Sequence, residues 1–325
     1  MTEGDMAAAA WYSANYSTIA HWIVRPTDKV VLGEASSRTC RFCGKSEPEV
    51  TFKLEAHAIP EGLGNKSIFS NYECDPCNQA FGRGIENDLG NWSKPMRTFS
   101  RIRGKNSVPT LKKGGEAPGW RIEHDDKGFS IKQYEDEKVC AVDAGNKSIR
   151  FDLKRDSYTP VAVLKAFVKI GLTLMPEAEI QNFEHAIAWV SDPDHSKVLA
   201  EQCPVIYTFI PGPMPNDVIA AFILRRKPGV SGVPYAWVVI GYGNEVFQFI
   251  IPSKPQDGSG YPSFQLLRFP TPSLQDERVG APKWRALDLT GRDVVKGEAF
   301  SISLGFDELV ERPLPHSAAA DDGAS

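Results

Sequence analysis

Two C-x-x-C pairs place the strongest constraint on how this 325-residue chain folds. Cys40 and Cys43 form the first pair, Cys74 and Cys77 form the second, and thirty residues lie between them. Thiolates at positions i and i+3 of a tight turn can bind one ion from the same side, and two such turns complete a tetrahedral Zn²⁺ site. Four cysteines leave no open coordination position, so we predict a structural zinc. It would stabilise a segment that is too short to bury a sufficient core.

The composition bounds the remaining possibilities. Hydrophobic residues make up 42% and charged residues 24% of the chain, which excludes a fibrous or globally disordered protein. The N-terminus lacks the features of a secretory signal, and no apolar run is long enough for a membrane span. We therefore expect a cytoplasmic protein without membrane contact, where paired cysteines favour metal over disulfides. The net charge of −4 does not by itself indicate a nucleic-acid binder.

The residues between and after the cysteine pairs form a recognisable pattern. They comprise the run His57-Ala58-Ile59-Pro60, the turn Gly62-Leu63-Gly64-Asn65, the junction Cys77-Asn78, and Asn87 nine residues after Asn78, within a predicted short helix over residues 79–89. This pattern resembles the HNH branch of the His-Me finger nucleases. The resemblance covers residues 38–92, roughly a sixth of the chain, and its motifs are specific only when taken together.

The resemblance implies a ββα-metal fold and hydrolysis of phosphodiester bonds with Mg²⁺ or Mn²⁺. His57 matches the general base that activates water, a task that suits imidazole because its pKa lies near neutrality. Asn78 matches the asparagine that orients this base. Asn87 matches a ligand of the catalytic divalent metal.

One position departs from the family pattern. The family usually has Asp, Glu or His directly before the base, as a metal ligand, and this chain has Ala56. We expect Glu55 to take that role, with Glu86 on the following helix as the second candidate and Asp88 as a further one. If none reaches the metal, the module is an inactive, zinc-stabilised nucleic-acid-binding unit, which is our alternative prediction.

A basic stretch follows the cysteine segment. Between Lys94 and Lys113 the cations occur without any acidic residue among them, and they include Lys94, Arg97, Arg101, Arg103 and Lys105. Beside a nuclease module, such cations are expected to contact the nucleic-acid backbone without reading its sequence. Arg83 on the helix is a further candidate contact. The other interpretation of this stretch is a solvated linker.

The rest of the chain predicts a larger, mixed domain. Thr159 and Pro160 are typical of a helix start, and the apolar residues from Leu164 to Met175 lie on one helical face, with Lys165 and Lys169 on the other side. Strand-like runs precede and follow this helix. The expected organisation is α+β: an N-terminal lead (1–35, with a short helix near residues 18–24), an HNH module (36–93), a basic linker (94–118), a C-terminal α+β domain (119–314) and a loose tail (315–325).

The predicted function is that of a metal-dependent HNH endonuclease, with DNA as the favoured substrate and RNA as the open alternative. Two other questions stay open at this point. The C-terminal domain could be the working part and bind a small ligand, although no nucleotide motif supports this. A homodimer is an open alternative, because many DNA-cutting modules act in pairs.

Overall fold

The computed structural model describes residues 3–36, 38–113, 119–125, 128–133, 138–200, 203–258, 266–270 and 279–312. The chain divides into two compact units. Unit 1 comprises residues 1–109 and 156–297, and unit 2 comprises residues 110–155 and 298–325. The loose tail predicted for residues 315–325 lies outside the described residues.

Unit 1 contains six α-helices and nine strands within its described residues. The helices are α1 (Glu3–Asn15), α2 (Asp75–Arg83), α3 (Ile85–Phe99), α4 (Pro160–Leu174), α5 (Glu184–Ser191) and α6 (Lys254–Asp257). The strands are β1 (Tyr16–Val24), β2 (Val30–Leu32), β3 (Ala56–His57), β4 (Ile68–Ser70), β10 (Val205–Phe209), β11 (Ile219–Arg226), β12 (Ala236–Tyr242), β13 (Glu245–Ile251) and β14 (Lys283–Leu287). Short 3₁₀ helices cover Glu61–Leu63 and Glu177–Phe183.

A six-stranded antiparallel sheet forms the centre of unit 1, in the order β1-β11-β12-β13-β10-β14. Helix α4 packs closely on one face of this sheet. A Cβ atom at Gly171 would lie only 2.6 Å from Ile251 and 2.8 Å from Val238, so glycine is required for this approach. The opposite face is covered from α1 by Tyr12, with Tyr16 following at the start of β1.

The cysteine module, which we define as residues 38–92, shares this core. Its strands β4 and β3 form a three-stranded sheet with β2, which precedes the module in the chain, and α2 and α3 follow. Trp92 on α3 contacts Phe167 on α4 and Phe247 on β13, with ring centroids 6.1 and 5.7 Å apart. One continuous cluster of buried residues therefore includes both the cysteine module and the face of the large sheet covered by α4.

Unit 2 consists of two three-stranded antiparallel sheets among its described residues. One has the order β5-β6-β7, and the other has the order β15-β9-β8. The strands are β5 (Leu111–Lys113), β6 (Trp120–Asp125), β7 (Gly128–Lys132), β8 (Cys140–Asp143), β9 (Ser148–Lys154) and β15 (Ala299–Gly305).

The mixed α and β architecture confirms the predicted fold class, but several elements differ from expectation. Residues 18–24 belong to strand β1 rather than to a helix, consistent with their β-branched and aromatic content. The helix predicted over residues 79–89 is divided at Gly84, and α3 continues to Phe99. The basic stretch therefore begins as helix, and Ile102, within it, is only 1% exposed.

The prediction that Lys165 and Lys169 lie on a different side of α4 from its buried face is wrong. Both are buried, at 0% and 1% exposure, because the cysteine module and the α5 segment cover that side. Lys165 donates to the carbonyl oxygens of Asp192 and Asp194.

In the described part of the chain, no helix is both long and apolar enough to cross a membrane.

Lys169 joins α4 to the cysteine module through a buried ionic cluster. Its ammonium lies 2.7 Å from a Glu73 carboxylate oxygen and 2.9 Å from Glu86 Oε1. The side chain of Glu73 is 0% exposed and that of Glu86 is 17% exposed. Burial raises the pKa of Glu73 to about 7, against the lowering effect of Lys169. Burial alone would lower the pKa of Lys169, but the two carboxylates raise it above its ordinary value.

The module also holds both ends of α4. At the N-terminus, the Thr159 backbone N–H donates to Asp88 Oδ1 on α3. At the C-terminus, the Arg41 guanidinium donates to the carbonyl oxygens of Leu172 and Met175, the latter at 2.9 Å. An anion at the start of a helix and a cation at its end both match the helix dipole. Residues of the cysteine module therefore hold α4 at its N-terminus, at Lys169 and at its C-terminus.

We predict that Lys169→Met destabilises unit 1 strongly. Loss of the cation leaves the buried Glu73 carboxylate and the half-buried Glu86 carboxylate without their partner, and breaking a buried pair in this way costs about 3–5 kcal/mol. Urea unfolding followed by tryptophan fluorescence measures the change. The triple variant Lys169→Met, Glu73→Gln, Glu86→Gln removes the stranded charges and should recover much of the loss. A Lys169→Met protein with wild-type stability would contradict the assigned role of the cluster.

Candidate functional site

The four paired cysteines converge on one point. Their sulfur atoms all lie within 4.8 Å of one another, and Cys43 Sγ and Cys74 Sγ are 3.7 Å apart. Tetrahedral zinc with Zn–S bonds of about 2.3 Å separates its sulfurs by about 3.8 Å. The donor set therefore fits Zn²⁺. The prediction that the four cysteines form one cluster that could bind a metal is confirmed. Gly44 follows the first pair with φ +70°, the left-handed conformation for which glycine is suited.

Backbone hydrogen bonds hold the cysteine cluster in place within the module. The Gly44 backbone N–H donates to the Cys40 carbonyl, and the Cys74 backbone N–H donates to Cys40 Sγ. The pKa of Cys40 is lowered to about 4, first because the Cys77 thiol donates to it. A thiolate is the form of cysteine that ligates a metal.

Asp75 connects this cluster to the strand that carries His57. Its carboxylate accepts hydrogen bonds from the Lys53 and Leu54 backbone N–H groups, at 3.0 and 2.9 Å, and from the Thr51 hydroxyl. Asp75 is buried and follows Cys74 directly. The start of α2 and the approach to β3 are therefore held together beside the cysteine cluster.

His57 lies at the end of β3, opposite Phe69 on β4. The two rings are 4.9 Å apart between centroids, and the His57 side chain is 21% exposed. Burial lowers the pKa of His57 from its ordinary value, while the Glu61 carboxylate acts in the opposite direction. The lowered pKa favours the neutral imidazole, the form that can accept a proton.

The loop between β3 and β4 is tightly constrained. Asn65 is 0% exposed and uses its side chain fully: Nδ2 donates to the Ile59 and Ile68 carbonyls, and Oδ1 accepts from the Ser67 and Ile68 N–H groups. Gly64 adopts φ +93° beside Ile102, which lies 2.8 Å from where a Cβ would be. The loop is therefore a rigid platform next to His57.

Arg97 stabilises the same loop from α3. Its guanidinium donates to the Gly62 carbonyl at 2.8 Å, to the Gly90 carbonyl at 2.7 Å and to Ser93 Oγ at 3.0 Å. The residue is 8% exposed. We correct the expectation that Arg97 contacts a nucleic-acid backbone, because its donors are engaged inside the protein.

Among the ion pairs of the described residues, Glu61 has the carboxylate closest to the His57 imidazole. We did not predict this residue from the sequence. Glu61 Oε2 lies 3.9 Å from His57 Nε2, and Glu61 Oε1 accepts from the Lys66 ammonium. Glu61 stands four residues after His57, at the start of the 3₁₀ helix. The i,i+4 spacing around a proline gave no helical signal in the sequence, so only the fold brings the two groups together.

The predicted metal-ligating residues occupy different surroundings. The side chain of Glu55 is 69% exposed and pairs with Lys29 at 3.4 Å. Glu86 is held by Lys169, and Asn87 is exposed at the start of α3. Asn78 is half-buried in the first turn of α2 and, among the described residues, makes no side-chain hydrogen bond to the His57 loop.

These positions do not form a ready-made second metal site. Apart from the four cysteines, no group of three His, Cys, Asp or Glu side chains in the described ranges brings its ligand atoms together. Glu55 and Glu86 already have cationic partners, so the side chains around His57 do not fit a preformed cage for a divalent metal.

The remaining predicted cations differ in their availability. Arg83, Arg101, Arg103 and Lys105 are exposed. Lys94 pairs with Asp156 at 2.7 Å and keeps 29% of its side chain exposed. The segment that carries these cations is anchored, because Lys66 Nζ donates to the Gly104 carbonyl and Asn216 Nδ2 to the Arg101 carbonyl.

Comparison with known families supports the resemblance. Residues 40–92 match a family model described as HNH endonuclease. The match covers 53 of the 325 residues and includes all four clustered cysteines, His57, Asn78 and Asn87. No curated protein and no solved structure matches the chain. The predicted resemblance is thus confirmed for the cysteine module, and the match does not extend to the rest of the chain.

We predict that the purified protein contains one zinc ion and that Cys77→Ser loses it. Without the ion, the module should loosen and the thermal midpoint of unit 1 should fall, because Arg41, Glu73 and Asp88 tie the module to α4. Metal analysis and thermal unfolding measure both effects. Cys140→Ser, a substitution in unit 2, is the matched control and should keep its zinc. A zinc-free wild type, or a Cys77→Ser variant with full zinc content, would contradict the assignment.

Proposed function

We propose that this protein is an endonuclease that hydrolyses phosphodiester bonds of DNA, with His57 as the general base. The observation that carries the proposal is the placement of His57. It is a neutral, partly exposed imidazole at the end of β3, within the segment that matches the HNH endonuclease model. An endonuclease needs such a group to remove a proton from the attacking water.

The surroundings of His57 support a catalytic role over a packing role. The Phe69 ring packs against the imidazole at a tilt of 47°, and a loop fixed by Asn65 and Arg97 borders it. A catalytic constellation works only when its members are held within about 0.5 Å of the productive geometry. Zinc bound by the four cysteines would supply the rigidity of the module and no open coordination site.

The exposed cations would allow the protein to bind the phosphates of DNA. Arg101, Arg103 and Lys105 lie in the segment that Lys66 and Asn216 anchor beside the His57 loop. Cations of this kind bind phosphates without reading bases. Arg83 and the partly exposed Lys94 are additional candidate contacts.

The proposal includes a divalent cation, Mg²⁺ or Mn²⁺, which the family resemblance implies. Since the side chains around His57 do not make a preformed cage, Glu55, Glu86 and Asn87 remain candidates that would bind it only together with water and phosphate oxygens. Mg²⁺ commonly keeps several waters and is held by one or two carboxylates plus substrate phosphates. We assign no step of the reaction to this ion.

A second function has one specific observation in its favour. The position before His57 is Ala56, and no second cluster of ligating side chains is found in the described ranges. A zinc-stabilised module that binds nucleic acid without cutting it would have these features. DNA binding without cleavage under every metal tested would favour this alternative.

We predict that the protein nicks supercoiled plasmid in the presence of Mg²⁺ or Mn²⁺ and that EDTA abolishes nicking. His57→Ala should lower the rate by about 10²–10⁴-fold, because a positioned general base typically contributes that factor. His21→Ala, an exposed histidine on β1, is the matched control and should cut at the wild-type rate. Equal cleavage by wild type and His57→Ala would show that the base has been misassigned.

We also predict that the Arg101, Arg103 and Lys105 side chains contact phosphates. Replacing all three by Ala should reduce the slope of log affinity against log salt concentration by about 1 to 2.5, since each neutralised phosphate contributes about 0.9. Fluorescence anisotropy with labelled duplex DNA measures the slope. The control variant replaces three exposed cations of unit 2, Lys138, Arg150 and Lys154, and an identical slope in both variants would exclude the predicted contacts.

A further inference from the structure

Glu61 and His57 form a pair that the family pattern does not supply. Glu61 Oε2 lies 3.9 Å from His57 Nε2, and the two side chains are 25% and 21% exposed. In free enzymes, catalytic hydrogen bonds are often longer than in the reacting complex. The other ring nitrogen, Nδ1, is buried and has no hydrogen-bond partner among the described residues. The two nitrogens of His57 therefore have unequal surroundings.

The Glu61 carboxylate is held in place from several directions. Its second oxygen, Oε1, accepts from the Lys66 ammonium, which also donates to the Gly104 carbonyl at 2.8 Å. The 3₁₀ helix that begins with Glu61 is fixed by the Arg97 bond to the Gly62 carbonyl and ends at Gly64. The carboxylate is thus part of a built network and differs from a mobile surface acid.

A neutral imidazole carries its proton on one nitrogen and a lone pair on the other, and the hydrogen bond made by the first selects the tautomer. A carboxylate beside Nε2 favours the proton at that position. We propose that Glu61 is a positioning residue that accepts the Nε2–H of His57 and fixes the ring with its lone pair on Nδ1. The catalytic meaning of this pair rests on the function proposed above, and it requires that Nδ1, which is covered in this structure, becomes open to the attacking water.

The other acids near His57 are less suited to this role. Glu55 and Glu86 act on the imidazole electrostatically, but Glu55 is mostly exposed beside Lys29 and Glu86 is tied to Lys169. Among the ion pairs of the described residues, only Glu61 joins a carboxylate to the His57 ring. In this proposal Glu61 takes the orienting role that we expected for Asn78.

Nitrogen NMR of ¹⁵N-histidine-labelled protein tests the proposal directly, with His57→Ala used to assign the signal. At neutral pH the wild type should show the Nε2–H tautomer in at least about tenfold excess, as expected for a charge-assisted hydrogen bond. Glu61→Ala should reduce that excess toward a mixture, and Lys66→Met should reduce it partly. Glu49→Ala, which removes an exposed carboxylate of the same module, should leave the ratio unchanged.

The outcomes separate this proposal from the proposed function. A wild-type protein in the Nδ1–H form, or a ratio unaffected by Glu61→Ala, would overturn the positioning role even if the protein cuts DNA. The expected ratios in a protein that cuts nothing would support the positioning role and remove the nuclease function. In an active protein, Glu61→Ala should lower kcat at least tenfold with little change in KM, and a change confined to KM would count against it.

Discussion

The buried ion cluster of Lys169, Glu73 and Glu86 is the interaction on which the arrangement of unit 1 depends. A fully buried lysine is stable only if carboxylates or other acceptors surround it, and here both carboxylates come from the cysteine module. The cluster therefore requires α4 and the module to fold as one body. With Arg41 at one end of α4 and Asp88 at the other, the module cannot rearrange without disturbing the helix that covers the large sheet.

The same arrangement explains how a small, irregular segment presents a precise site. The module has few regular elements: β3 has two residues and β4 has three. Its order comes from polar side chains that hold the backbone in place. Asp75 binds the segment before β3, Asn65 binds the following loop from within, and Arg97 binds that loop from α3. The cysteine cluster fixes one end of this network and α4 the other. His57 lies between them, on a surface that the rest of unit 1 keeps rigid.

Much of this could be predicted from the sequence where the signal is local. The two C-x-x-C pairs predict a cluster because their spacing alone brings thiolates to one side. Pro160 predicts the start of α4 because its fixed φ suits the first helical position, and Thr159 lies at the N-cap without a side-chain capping bond. The segment around His57 is likewise recognisable from a short run of residues.

The features that were missed depend on contacts distant in the chain. Lys169 lies 83 positions from Glu86, and a helical pattern cannot show that a lysine meets buried carboxylates from another segment. Arg97 belongs to a run of cations, and its engagement with the Gly62 carbonyl is a property of the fold. Strand β1 is rich in β-branched and aromatic residues, but half-burial on both faces weakens the alternation that marks a strand.

The central claim is that His57 activates water for attack on a DNA phosphodiester bond. Cleavage of a DNA duplex in ¹⁸O-labelled water, with mass spectrometry of the products, tests it most directly. We predict that wild-type protein with a divalent cation gives products whose new terminal phosphate carries one ¹⁸O atom, and that His57→Ala gives almost none. Intact DNA under every condition, or the same labelled products from both proteins, would contradict it.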